Sequence, residues 1–153
     1  MFKRTVIFTV LTVDIGNART EIGMFDGDAV VFKAAIESAR SKTDYEYAGM
    51  LQSLIALQGI SAKSVTGAII SSVVPKLTDT LKNAVGLVFK VEALIVGPGI
   101  KTGLKIRCDD PSSVGADLIC ACVAAKQLYP LPCLIVDMGT ATKLILVDEE
   151  GAF

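Results

Sequence analysis

Two carboxylates stand at the ends of apolar runs in the same local pattern. Val13-Asp14-Ile15-Gly16-Asn17 closes the run of residues 5–13 and leads into a second strand-like run, 20–25. Val136-Asp137-Met138-Gly139-Thr140 follows 133–136 and leads into 144–147. Glycine lets the chain turn tightly and leaves backbone N–H groups open to an anion. An aspartate beside such a turn can hold a hydrated magnesium ion carrying phosphates. One Asp-x-Gly is an ordinary turn with a capping carboxylate. Two copies in matching strand-turn-strand context point to an internal repeat with a nucleotide between its halves.

A third group of carboxylates lies in Asp109-Asp110-Pro111-Ser112-Ser113-Val114-Gly115-Ala116-Asp117. Asp110, before proline, is biased to extended backbone and belongs to the turn. Asp117 falls in the first turn of a helix, where the macrodipole favours the anion. Two uses stand side by side. One is helix-end electrostatics; the other is a base aimed at a substrate hydroxyl, with Gly115 letting a ligand approach the backbone. A glycine-rich stretch, Gly97-Pro98-Gly99-Ile100-Lys101-Thr102-Gly103, fails the P-loop test because Ile100 stands where glycine must precede lysine. It also lacks the dinucleotide fingerprint.

The elements that must position these residues can be read from period and turn chemistry. Residues 5–14, 20–25 and 29–35 read as a meander, with Asp26-Gly27-Asp28 as a hairpin turn. A polar, basic loop follows at 38–42. Thr43, three residues before Glu46, opens a helix to about Leu57 in capping-box fashion, with Tyr47, Met50, Leu51, Leu54 and Ile55 as its core face. A strand is expected at 65–71, then a helix from Pro75 to about Val85 and a strand at 88–96. A second capped helix should start near Ser112 or Ser113 and end before Pro130, followed by strands at 133–137 and 142–147. Three strands, alternating helix and strand, and a restart of the strand-turn-strand unit describe an α/β, ribonuclease-H-like mixed sheet with flanking helices, duplicated, its second copy incomplete. The expected lobes are 1–112 and 113–153.

Composition narrows the chemistry. The 153 residues are 52% hydrophobic, with a net charge of −1 that gives no electrostatic footprint for nucleic acid or an anionic membrane. There is no histidine, so acid–base work must fall to carboxylates or lysines. Cys108, Cys120, Cys122 and Cys133 form no C-x-x-C pair, which argues for thiols in a reducing cytosol rather than a zinc site. The apolar N-terminal run is short and ends in Asp14, unlike a signal peptide, and no run has the length of a membrane span. A cytoplasmic protein is expected.

Taken together, Asp-x-Gly-Asn, Ser-Ser-Val-Val-Pro, Gly-Pro-Gly-x-Lys-Thr-Gly-Leu, Asp-x-Pro-x-x-x-Gly-Ala-Asp and Asp-x-Gly-Thr-Ala-Thr occur in one order along the chain. In this the chain resembles the type III pantothenate kinases, of the superfamily that joins acetate kinase, sugar kinases and actin, from about Leu11 onward. The resemblance implies ATP-dependent phosphorylation of pantothenate, the first step of coenzyme A synthesis, with Mg2+ and a monovalent cation (K+ or NH4+), in a homodimer. It implies that Asp14, Ile15, Gly16, Asn17, Ala18, Arg19, Thr20 and Glu21 hold the ATP phosphates, with magnesium at Asp14, and that Thr140 touches the nucleotide. Asp117 is then the proton acceptor, Gly115, Ala116, Asp117 and Leu118 line the pantothenate site, and Asp137 binds the monovalent cation.

The chain departs from the family pattern in four places: Ala18 where a threonine is usual, Leu118 where an arginine follows the acceptor, Lys143 where a threonine is favoured, and Cys108 where some members carry a substrate-contacting tyrosine. A non-catalytic accessory or transcriptional regulatory protein on the same scaffold is the alternative. Family members also run roughly a further hundred residues, an amount comparable to a domain.

Overall fold

The structure, a computed structural model, describes residues 9–97 and 99–153. Residues 1–8, including the expected start of the first strand, and Pro98 of the glycine-rich stretch lie outside the described residues. The chain divides between Ile95 and Val96 into two compact units.

The first unit is a five-stranded mixed sheet. Strands β1 (Thr9–Ile15), β2 (Arg19–Asp26) and β3 (Ala29–Glu37) form an antiparallel meander, and Gly27 takes the left-handed φ of 58° that its hairpin turn requires. β4 (Val65–Ser72) then pairs parallel to β1, and β5 (Ala93–Ile95) parallel to β4, giving the order β3-β2-β1-β4-β5. Parallel neighbours need crossovers, and α1 (Asp44–Leu57) and α2 (Pro75–Phe89) supply them. Both helices cover one sheet face. Leu11, Val13 and Ile15 of β1, with Ile70 of β4, share a core there with Tyr47 and Leu51 of α1 and Leu77 and Leu81 of α2. Each such side chain contributes about 1.5–3 kcal/mol on full burial.

α1 starts as its sequence requires. The Glu46 amide donates to Thr43 Oγ1 at 3.3 Å, and the Thr43 amide donates to Glu46 Oε2 at 2.8 Å. The expected strand over 88–96 is corrected: α2 runs on to Phe89, and only residues 93–95 form β5. Phe89 extends the buried stripe of Leu77, Leu81 and Val85 by one helical turn, so packing keeps the apolar run helical. Lys90, at a left-handed φ of 59°, then ends the helix.

The second unit packs α3 (Ala116–Leu128) on a hairpin of β6 (Cys133–Met138) and β7 (Thr142–Val147). Cys122, Ala125, Ile145 and Val147 are its buried centre. The helix begins later than the serines suggested. Asp110 instead caps a short 3-10 turn at Pro111–Ser113, accepting from the Ser112 amide at 3.0 Å, and Gly115 becomes the N-cap of α3. Residues 96–112, which the sequence pattern groups with the first lobe, belong to the second compact unit. Lys105 bridges to Ala152, and Arg107 forms an ion pair with Asp148 at 2.9 Å. Among the described residues no helix is long and apolar enough to cross a membrane.

Candidate functional site

In the first unit the first Asp-x-Gly turn lies at the carboxyl end of β1. Strand alternation sends Leu11, Val13 and Ile15 into the core and leaves the exposed Asp14 on the opposite face. Register places Glu21 of β2 and Ser71 of β4 beside it on that face. The turn closes with the Gly16 amide donating to the Arg19 carbonyl at 2.9 Å, and the Val73 amide ties the strand end to the Ser-Ser-Val-Val-Pro segment by donating to the Ile15 carbonyl at 3.0 Å. Ile15 and Thr20 have no exposed surface, and the Thr20 hydroxyl shares a 2.8 Å hydrogen bond with Ser38 Oγ. These two brace the turn from below, whereas Asp14, Asn17, Ala18, Arg19 and Glu21 are exposed around it.

Arg40 joins this turn without having been singled out in the sequence. Its Nη2 donates to Asn17 Oδ1 at 3.2 Å, placing an exposed guanidinium at the rim. The basic stretch 38–42 was the signal, but only the fold shows which cation reaches the turn. Two contacts hold that stretch: the Ser38 amide donates to the Ala18 carbonyl at 3.1 Å, and the Tyr47 hydroxyl donates to the Ala39 carbonyl at 3.0 Å. Burial pushes the Tyr47 phenol up from its usual range, so this donor stays protonated. Ser71 Oγ is buried and has no hydrogen-bond partner among the described residues.

In the second unit three charged side chains converge. Asp117 sits in the first turn of α3, and Asp137 and Lys143 are direct cross-strand partners in the β6–β7 hairpin. Lys143 Nζ lies 2.5 Å from Asp117 Oδ2 and 2.9 Å from Asp137 Oδ2. Hydrogen bonding to Asp117, then to Asp137, raises the lysine above its usual range, so it is charged at neutral pH. Leu118 turns away from this cluster and packs against the unit's core. Thr140 is exposed in the hairpin turn, and Cys108 is exposed in the loop before α3. Burial raises the Cys122 thiol, the largest cause of its shift, which marks it as a core residue.

Fit to the implied cations differs between the two turns. Magnesium is commonly held by one or two carboxylates together with the phosphates it carries, so the exposed carboxylate of Asp14 suits it. Asp137 does not suit a free monovalent cation, because the Lys143 ammonium already sits on its Oδ2. Among the described residues no three acidic or cysteine side chains group closely enough to hold a metal ion by themselves.

The meander-then-parallel sheet with its two crossover helices, followed by a second strand-turn-strand unit, defines an α/β fold of the ribonuclease-H-like type. In accord with it, the solved structure titled "Reductive activator for corrinoid,iron-sulfur protein" superposes with a TM-score of 0.58 at 12% identity, covering 97% of this chain and 30% of that one. The sequence model of the type III pantothenate kinase family matches residues 10–153, and the chain belongs to that family. It is 44% identical over 144 residues to the type III pantothenate kinase of Geobacillus kaustophilus (strain HTA426), covering 94% of this chain and 56% of that one. To the Dehalococcoides mccartyi (strain ATCC BAA-2100) type III pantothenate kinase it is 41% identical over 153 residues, or 100% of this chain and 58% of that one. The chain thus spans little more than half the length of the curated relatives it matches.

Proposed function

We propose that the protein of which these residues form a part transfers the γ-phosphoryl group of ATP to the terminal hydroxyl of pantothenate, giving 4'-phosphopantothenate for coenzyme A synthesis. The observation that carries this reading is the placement of Asp117. It stands at a helix N-terminus, directly after the Gly115-Ala116 backbone, with one carboxylate oxygen fixed by Lys143. The other oxygen is then the one to accept a hydrogen bond from the substrate hydroxyl. Phosphoryl transfer passes through a loose transition state, so such a base need mainly orient its nucleophile.

In this reading the Asp14–Glu21 turn receives the phosphates. The exposed turn residues Asn17 and Ala18 and the guanidinium of Arg40 receive them, and Asp14 holds the magnesium that neutralises their charge. Thr140 contacts the nucleotide. Gly115, Ala116 and Asp117 line the pantothenate site with Cys108, and Leu118 contributes its backbone, because its side chain packs on the core. The protein works in the cytoplasm as a homodimer, without nucleic-acid or membrane partners.

The test is Asp117→Asn in the protein expressed in full. Phosphorylation of pantothenate should fall about 10²–10⁴-fold, the usual worth of a positioned base, while ATP binding measured by calorimetry is retained. Intact turnover in that variant removes Asp117 from the role of base. A parent protein that binds ATP yet forms no 4'-phosphopantothenate supports the accessory-protein reading instead.

A further inference from the structure

The cluster of Asp117, Asp137 and Lys143 brings two negative charges and one positive charge together on half-buried side chains. The three side chains are 22%, 39% and 35% exposed, respectively. They come from three separate places: the first turn of α3, the end of β6 and the start of β7. A surface ion pair is held by chance geometry and joins two mobile side chains. Here Lys143 is fixed opposite Asp137 by strand register, and Asp117 is fixed by the helix, so one ammonium spans two carboxylates that the fold itself brings together.

We infer that Lys143 is the resident monovalent cation of this site, its ammonium supplying between Asp117 and Asp137 the single positive charge that a free K+ or NH4+ would otherwise bring. An alkylammonium carries the same single charge as those ions and donates three directed hydrogen bonds, two of which the carboxylates take. Because it is tethered to the strand, it sits between the carboxylates without the loss of translational freedom that a free ion must offset. Lys143 is therefore a positioning residue. It fixes one oxygen of Asp117 and leaves the second for the substrate, and it makes the protein indifferent to the monovalent salt around it. Truncating Lys143 leaves two carboxylates facing a gap that a small cation can fill and a bulky one cannot.

The structural half of this inference stands on the geometry alone; the kinetic half rests on the proposed phosphorylation of pantothenate. The experiment separates them by reading thermal stability as well as turnover. The full-length parent and Lys143→Ala are melted in chlorides of K+, NH4+, ethylammonium and tetramethylammonium at equal ionic strength. The parent should melt at one temperature in all four. Lys143→Ala should melt lower in tetramethylammonium and recover in K+, NH4+ or ethylammonium, and adding Asp137→Asn should erase that selectivity. With pantothenate and ATP, Lys143→Ala should lose about tenfold or more in turnover in tetramethylammonium, the scale of one charge-assisted hydrogen bond, and regain it in K+. A parent whose melting temperature or turnover rises with K+ over tetramethylammonium overturns the inference, even if the variant fails to fold. A folded variant with no preference among the four cations overturns it too. Cation-selective melting without any turnover upholds the site and rejects the kinase reading.

Discussion

The Gly16 amide donates to the Arg19 carbonyl at 2.9 Å, and a β-carbon added to Gly16 would meet that same oxygen at 2.9 Å. The contact is with backbone, so no side chain can swing aside to relieve it. Gly16→Ala should therefore open the first turn and cost about 1–3 kcal/mol, the usual range for overpacking a tight site. Gly139 in the second turn differs: a β-carbon there meets its nearest atoms at 3.7 and 3.8 Å, ordinary van der Waals separations. Gly139→Ala should be tolerated. Urea denaturation of the two variants beside the parent checks the ranking, and equal losses would show that the turns are built alike.

Ser71 and Ser72 are adjacent hydroxyls with opposite circumstances. Ser72 Oγ accepts from the Val74 amide at 3.1 Å and from Thr78 Oγ1 at 2.8 Å, so it organises the entry to α2. Ser71 Oγ is buried beside the Asp14 register with no partner among the described residues. An unsatisfied buried hydroxyl costs about 1–3 kcal/mol. Ser71→Ala should leave the melting temperature unchanged or raise it, whereas Ser72→Ala should lower it. A marked loss of stability in Ser71→Ala would reveal a partner for that hydroxyl.

The capping box gives a pH signature. Hydrogen bonds from the Thr43 amide, then from its hydroxyl, hold the Glu46 carboxyl below its usual value near 4.5. A carboxylate depressed in the folded state adds stability that is fully present above its unfolded value and is lost as the pH falls through its folded value. Glu46→Gln, which mimics the protonated acid, should therefore melt below the parent at neutral pH and converge with it in acid. Thr43→Ala removes the other half of the box and should cost about 0.5–2 kcal/mol. A gap between parent and Glu46→Gln that persists unchanged into acid would take Glu46 out of the cap.

How much of this was legible beforehand depends on how local the determinant is. Thr43 with Glu46, Asp26-Gly27-Asp28 and Pro75 carry their meaning within four residues, and α1, the β2–β3 hairpin and the start of α2 stand where they indicate. The end of α2 is not legible locally because residues 88 and 89 are apolar under either period, and only the stripe shared with Leu81 and Val85 decides. Serine spacing suggested a helix start that Asp110 diverts into a 3-10 turn. Arg40 and Lys143 could be counted as charges in the sequence. Their partners, 23 residues away for Asn17 and 26 for Asp117, come only with the fold.

The β6–β7 hairpin buries one face and leaves the other bare. Cys133, Ile135, Ile145 and Val147 turn toward α3, while Leu134, Val136, Leu144 and Leu146 are each more than half exposed on the opposite side. Register pairs Leu134 with Leu146 and Val136 with Leu144, so the four make one continuous apolar patch. Neither β6 nor β7 has a further strand partner among the described residues, so each also offers unpaired backbone groups at its edge. A contiguous apolar face on an open two-stranded sheet favours association over solvation. A polypeptide limited to these 153 residues should therefore self-associate in sedimentation velocity as its concentration rises. Val136→Thr with Leu144→Thr keeps strand-forming side chains but removes the centre of the patch. Since burying each such side chain is worth up to about 1.5–3 kcal/mol, the pair should weaken association by more than about tenfold. A parent that stays monomeric across the concentration range sinks the prediction, and a double variant that associates as tightly as the parent moves the contact to the strand edges.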